Sequence, residues 1–270
     1  MLIREKNFDI RKIADSGQCF RMNETSDGVW KIVAKDKLLM VREIEECGKD
    51  HVYDFSCTRE EYDRFWKDYF DMDKDYSDFT NRIDKKDKYL LQAAEYGYGM
   101  KILRQDIFET LISFIISQRK NIPAIKNSVE KICERFGHDI GGVYSFPTPE
   151  ELYKADIESL KECSLGYRAD YIYKTVRLIL SGDFDIDKLS EDKEISNDML
   201  LQSLMTLPGV GIKVANCTSL FGFHRLEAFP RDVWIKRIEE NNYNGHFDED
   251  KYEGFAGVLQ QYMFYYERTK

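Results

Sequence analysis

"LPGVGIKVANC", residues Leu207 to Cys217, sets a proline, two glycines and then a lysine between two apolar helical runs, "NDMLLQSLMTL" and "KVANCTSLFGF". A turn this tight leaves the second helix with unpaired backbone N–H groups in its first turn. Those donors suit a phosphate, and the bare Gly209 and Gly211 let a nucleic-acid backbone come close. A plain helix-turn-helix connection would use the same residues, so the turn alone leaves both readings open. Lys213 is harder to explain, because it falls where the helix macrodipole disfavours a cation. A free lysine titrates near about pH 10.4. A nucleophilic lysine needs its amine partly neutral, which a helix start and partial burial favour. The alternative is a solvated side chain.

Further on, Asp232 in "HRLEAFPRDVWIKRI" follows Pro230 and stands where the next helix should begin. An N-cap is a sufficient role for it. The same position could aim a carboxylate into the groove that holds Lys213, and such a pair beside a phosphate-binding turn suits attack on a sugar carbon.

The residues up to about 55 alternate short β-type runs with turns: "GQCFRM", "GVWKIVAKDKLLMVREI" and "HVYDFSC". Thr58 with Glu61 reads as a capping box that opens a helix over "REEYDRFWKDYF". Helical spacing dominates from there to the last predicted helix, "EDKYEGFAGVLQQYMFYYERT". The acidic stretch 181–198 has no helical periodicity and is predicted to be a long surface connection. The fold class is α+β: a small antiparallel sheet subdomain over 1–86, then a mainly helical domain over 87–270 built around the hairpin.

Composition narrows the function classes. The chain has 270 residues, 43% hydrophobic and 33% charged, enough for a sizeable core. Its longest apolar run, "LISFII", is too short for a bilayer span and its first residues lack the apolar core of a signal peptide. A place in the cytoplasm, or with the cell's DNA in a nucleoid or nucleus, and no membrane partner are therefore expected. Cys19, Cys47, Cys57, Cys133, Cys163 and Cys217 form no CxxC pair, which argues for reduced thiols and against a zinc site or iron–sulfur cluster. A net charge of −9 looks unfavourable for a nucleic-acid partner, but Glu43 to Asp78 alone carries 13 acidic and 5 basic residues. The remainder is near neutral, so a local basic face is allowed, with residues 117–138 as the candidate.

Taken together, "LPGVGIKVANC" and the Asp of "FPRDV" resemble the helix-hairpin-helix Gly/Pro-Asp signature of DNA glycosylases. "SGQCFRM" (Ser16 to Met22), "ISQRKNI" (Ile116 to Ile122) and "LGYRADY" (Leu165 to Tyr171) resemble the 8-oxoguanine DNA glycosylase family in particular. The resemblance implies a bifunctional enzyme that flips the damaged base out of double-stranded DNA, excises it through a lysine Schiff base and cleaves the abasic site. It makes Lys213 the nucleophile and Asp232 the carboxylate that orients the amine. It sets Cys217 and Phe264 against the two faces of the base, Gln260 on its Watson–Crick edge and the Gly17 carbonyl on N7–H. Gly209, Gly211, Arg119, Asn121, Tyr167 and Arg168 become DNA contacts. Arg119 aligns where the family has a gap-filling Asn, and Ala124 where an Arg reads cytosine, so relaxed partner-base selectivity is expected. Trp234 stands where an imidazole often meets phosphate, so that contact should be absent or replaced by stacking. The resemblance calls for no metal or other cofactor, apart from an alkali ion that the Leu207 to Val210 carbonyls would suit, and for a monomer. From the residues alone, the buried-thiol reading of Cys217, a polar-rim reading of Gln260 and a core-aromatic reading of Phe264 stay open. The rivals are a glycosylase for another damaged base, such as an alkylated one, and a non-catalytic DNA-binding module. Lys213 speaks against monofunctional relatives, and Lys213 with Asp232 against the second.

Overall fold

In the computed structural model of the chain, residues 1–47 and 50–270 are described, positions 46, 47 and 50 by their backbone alone, so the Cys47 thiol lies outside the described residues. Five antiparallel strands, β1 (Leu2–Lys6), β2 (Met22–Glu24), β3 (Val29–Ala34), β4 (Lys37–Cys47) and β5 (Asp50–Phe55), form one sheet in the order β1-β5-β4-β3-β2. Alternation chooses the buried face: Trp30 and Ile32 of β3 sit opposite Val41 and Leu39 of β4, and all four are buried. Phe8, Phe55, Tyr62, Trp66 and Phe70 extend that face through edge-on and stacked ring contacts.

The structure corrects several expectations. β1 and the helix Ile10–Asp15 were not legible in the pattern, and "GQCFRM" becomes a strand only at Met22. Residues 16–21 instead run through the interior. Gln18 supplies the partners that a strand ladder would have supplied: its amide donates to Ser16 Oγ and the Lys101 carbonyl, and accepts from Leu103 N. Thr58 caps its helix, but the Glu61 carboxylate accepts from Trp66 Nε1 rather than turning back to the cap. The helix runs over 59–69 with a π-type turn at Tyr62–Trp66. The acidic stretch 181–198 holds a short helix, Ile186–Glu191, capped by Asp185 and pinned by buried Phe184, Ile186 and Ile195. The last helix begins later than predicted. A 3₁₀ turn at Glu249–Tyr252 is followed by Gly254 at φ +83°, and the helix itself is Ala256–Thr269.

At the centre of the helical part lies Ile107–Ser117, buried nearly all round and therefore a core helix. It packs against Ile122–Phe136, Arg168–Ser181 and Ile212–Phe221. The helix Val233–Asn242 packs on Ala256–Thr269, which in turn packs on Lys88–Tyr96. Residue 86 falls between the helices Ser77–Asn81 and Lys88–Tyr96, and one buried core runs across that boundary. Arg104 pairs with the buried Asp71 over it, at 2.9 Å.

Candidate active site

The hairpin closes by local bonds: Leu207 N donates to the Leu204 carbonyl and Val210 N to the Leu207 carbonyl, each at 3.1 Å, with Gly209 at φ +76°. Gly211 is the N-cap of the lysine helix, Ile212–Phe221, and no side chain caps that helix. A Cβ on Gly211 would meet nothing within 4 Å. The uncapped first-turn N–H groups are thus open to an anion. Gln118 braces the turn from behind, its amide donating to the carbonyls of Gly209 and Ile115, each at 3.0 Å.

Lys213 is half-buried, its Nζ 5.0 Å from the ring centre of Phe114. Cys217 lies one turn further along and is buried. Burial pushes its thiol up in pKa, Lys213 within hydrogen-bonding reach draws it partly back, and the Asp232 charge raises it again. The Lys213 amine and the Asp232 carboxylate thus both lie near enough to the Cys217 thiol for their charges to act on it. Asp232 is the N-cap of Val233–Asn242, Oδ1 accepting from Trp234 N at 2.9 Å and Ile235 N at 3.0 Å. Its other oxygen has no hydrogen-bond partner among the described residues. The N-cap reading and the groove reading thus use different atoms of one side chain. Asn216 joins the two helix starts, donating to the Ile212 carbonyl and accepting from Phe229 N.

Gly17, at φ +76°, lies against the last helix: a Cβ there would sit 3.5 Å from both Phe264 Cε1 and Ile122 Cδ1. Gln260 is 2% exposed; its amide donates to the Pro230 carbonyl and accepts from Gln261, which fixes its orientation beside the approach to Asp232. The apolar residues next to Lys213 and Asp232 are open, Ile212 at 58% and Val233 at 69% exposure.

The expected DNA contacts divide. Arg119 is exposed at φ +52°, and Tyr167 is 51% exposed with its ring edge-on to Tyr171. Asn121 is exposed and caps Ile122–Phe136, accepting from Ala124 N. Arg168 departs from the expectation of a surface contact. It is 7% exposed, donates to the carbonyls of Leu165 and Gln118, and lies over the Tyr167 ring. The cations of the basic face expected over 117–138 are largely engaged by neighbouring groups of the protein. Lys120 holds Ser128 and the Ser164 carbonyl, Lys126 holds the Met22 carbonyl and Asn23, and Arg135 pairs with Glu162. Trp234 stacks under the Arg237 guanidinium, 5.2 Å away.

Sequence reasoning missed Gln18, Gln118, Tyr171 and Asn216 as supports of the site. All four stand inside the quoted motifs, so an uncharged polar or aromatic residue within such a motif was the available signal. Among the described residues no cluster of His, Cys, Asp and Glu could hold a metal. No helix among them is long and apolar enough to cross a membrane. Of the hairpin carbonyls, those of Leu207 and Gly209 each accept one hydrogen bond and keep a second lone pair, a donor set that fits an alkali ion.

Residues 1–111 match the family "8-oxoguanine DNA glycosylase, N-terminal domain" and residues 112–253 match "HhH-GPD superfamily base excision DNA repair protein". The chain belongs to the 8-oxoguanine DNA glycosylase family. It is 32% identical over 233 residues to a Methanothermobacter thermautotrophicus protein named "Probable N-glycosylase/DNA lyase", covering 74% of this chain and 72% of that protein. A "N-glycosylase/DNA lyase" of Saccharomyces cerevisiae is 37% identical over 158 residues, 54% of this chain but 42% of the yeast protein's length. Among solved structures, the Clostridium acetobutylicum 8-oxoguanine glycosylase/lyase bound to duplex DNA with cytosine opposite 8-oxoguanine superposes with a TM-score of 0.88 at 31% identity, covering 99% of this chain and 97% of that one. As a member of this family the chain is a DNA glycosylase, and its fold is the family's sheet-plus-hairpin fold.

Proposed function

We propose that this glycosylase excises 8-oxoguanine from double-stranded DNA and cleaves the resulting abasic site, with relaxed selectivity for the opposite base. The observation that carries the reading is that Lys213 and Asp232, each at the start of a helix, both act with their charge on the buried Cys217 thiol one turn beyond the lysine. The chemistry follows from those atoms. The Lys213 amine attacks C1′ of the flipped nucleotide, the C1′–N9 bond breaks, and the base leaves with a proton. Asp232 stabilises the positive charge that develops on the sugar and takes up the proton the amine loses. Asp232 hands that proton to O4′ as the C1′–O4′ bond breaks, and ring opening gives an imine between Nζ and C1′. The imine acidifies C2′–H; loss of that proton expels the 3′ phosphate by breaking C3′–O.

Cys217 and Phe264 would hold the base between them, Gln260 would face its Watson–Crick edge, and the Gly17 carbonyl would accept from N7–H. Unmodified guanine presents a lone pair at N7, which that carbonyl repels. Gly209 and Gly211 would seat the strand's phosphates, with Arg119, Asn121 and Tyr167 at the helix distortion; Arg168 would act through Gln118 and Tyr167. No cofactor enters any step. An alkali ion on the carbonyls of Leu207 to Val210 would brace the turn. The enzyme acts as a monomer in the compartment that holds the DNA.

Borohydride trapping on a duplex with one 8-oxoguanine tests the reading. Wild type should give a covalent adduct and Lys213→Gln none. Base release that persists in Lys213→Gln would remove the lysine from the mechanism; tight binding by wild type with no chemistry would leave a DNA-binding module.

A further inference from the structure

Arg268 lies one turn beyond Phe264 on the last helix, its Cζ 5.3 Å from the centre of that ring. One of its terminal nitrogens, Nη2, donates to the Asp15 carbonyl, two residues before Gly17. The other, Nη1, is buried and has no hydrogen-bond partner. A cation's N–H left unpaired away from water is costly, and a native chain tolerates it where a ligand completes the bond. The place supports that reading. A Cβ built on Gly17 would be 3.7 Å from Nη1 and 3.5 Å from Phe264 Cε1, so the free donor sits beside the glycine and the ring together. Asp232 is among the groups whose charge bears on the guanidinium.

We infer that Arg268 Nη1 reads the lesion, donating to the carbonyl oxygen that flanks N7–H while the Gly17 carbonyl accepts from N7–H itself. Acceptor and donor side by side complement a donor and acceptor side by side on the base. The inference rests on the proposed excision of 8-oxoguanine and makes Arg268 a specificity-determining residue for it. It also gives the unsatisfied nitrogen a partner that arrives only with substrate, as the planar two-headed guanidinium permits and an ammonium does not.

The test compares single-turnover base release from an 8-oxoguanine duplex with cleavage of a preformed abasic site, which has no base to read. Arg268→Met should lose about 10- to 100-fold in base release, the worth of one charge-assisted hydrogen bond, and keep abasic-site cleavage and thermal midpoint. Arg268→Lys can still reach the Asp15 carbonyl but offers no second nitrogen, and should show the same selective loss. Equal loss in both reactions for both variants, or no loss in base release, would overturn the inference. Wild type that releases no 8-oxoguanine would instead overturn the functional reading on which it rests. On a duplex carrying 8-oxoadenine, which keeps O8 and N7–H but has an amine in place of O6, a retained penalty assigns the contact to O8 and a vanished one to O6.

Discussion

Tyr171 lies against Gly209 so closely that a Cβ on the glycine would fall 2.3 Å from Tyr171 Cδ2. The hairpin glycine thus answers two demands, a left-handed φ of +76° and the ring pressed against its Cα. Gly209→Ala should destabilise the fold by about 2–4 kcal/mol, the sum of left-handed strain and overpacking. Denaturant midpoints would show it, and Tyr171→Ala in the same chain should recover the overpacking share and leave the backbone share. Full additivity of the two substitutions would mean the ring and the glycine do not press on each other.

Asp232 uses one oxygen for the helix cap and leaves the other without a hydrogen-bond partner among the described residues. Asn caps as well as Asp does, so Asp232→Asn should hold stability within about 0.5 kcal/mol while Asp232→Ala loses about 1 kcal/mol. Base release should fall in both, by about 100- to 1,000-fold, because the charge is gone. Activity that tracks stability across the pair would make the carboxylate a cap and nothing more.

Glu109 supplies a pH signature remote from the chemistry. Burial pushes its carboxyl up to about 8, against a smaller opposing pull from Arg21, with Asp106 and Glu130 raising it further. A folded pKa above the unfolded one means the unfolded chain ionises first as pH rises. Stability is therefore lost progressively from the ordinary glutamate range near about pH 4.5 up to about pH 8, and is level beyond. Glu109→Gln should be equal to wild type at pH 4 and more stable at pH 8, on the order of 2 kcal/mol after allowance for its residual exposure. A constant offset across that range would refute the assignment.

Arg119 is exposed, and Ala124 contributes only a backbone N–H to the Asn121 cap. With no cation at position 124 to read cytosine, trapping rates opposite the four bases should lie within about threefold of one another, less than the 1–3 kcal/mol that one strict base contact confers. A preference for cytosine above a hundredfold would show that another residue reads it.

The sequence determined what depends on neighbours three or four residues away. Gly209 and Gly211 announced the turn, Lys213 the anomaly at the helix start and Asp232 the cap, since an N-cap bonds the N–H groups two or three positions on. The period of the apolar residues likewise gave the helical part and strands β3 to β5. Only the tertiary structure decided where the charges went. Arg168 and Lys126 turned inward because loop carbonyls from distant segments lacked donors, and residues 16–21 became a buried loop because Gln18 met the backbone of 101–103. Those partners lie tens of residues apart in the chain, and no local pattern encodes which buried oxygen will be left unpaired or, at Arg268, which buried nitrogen.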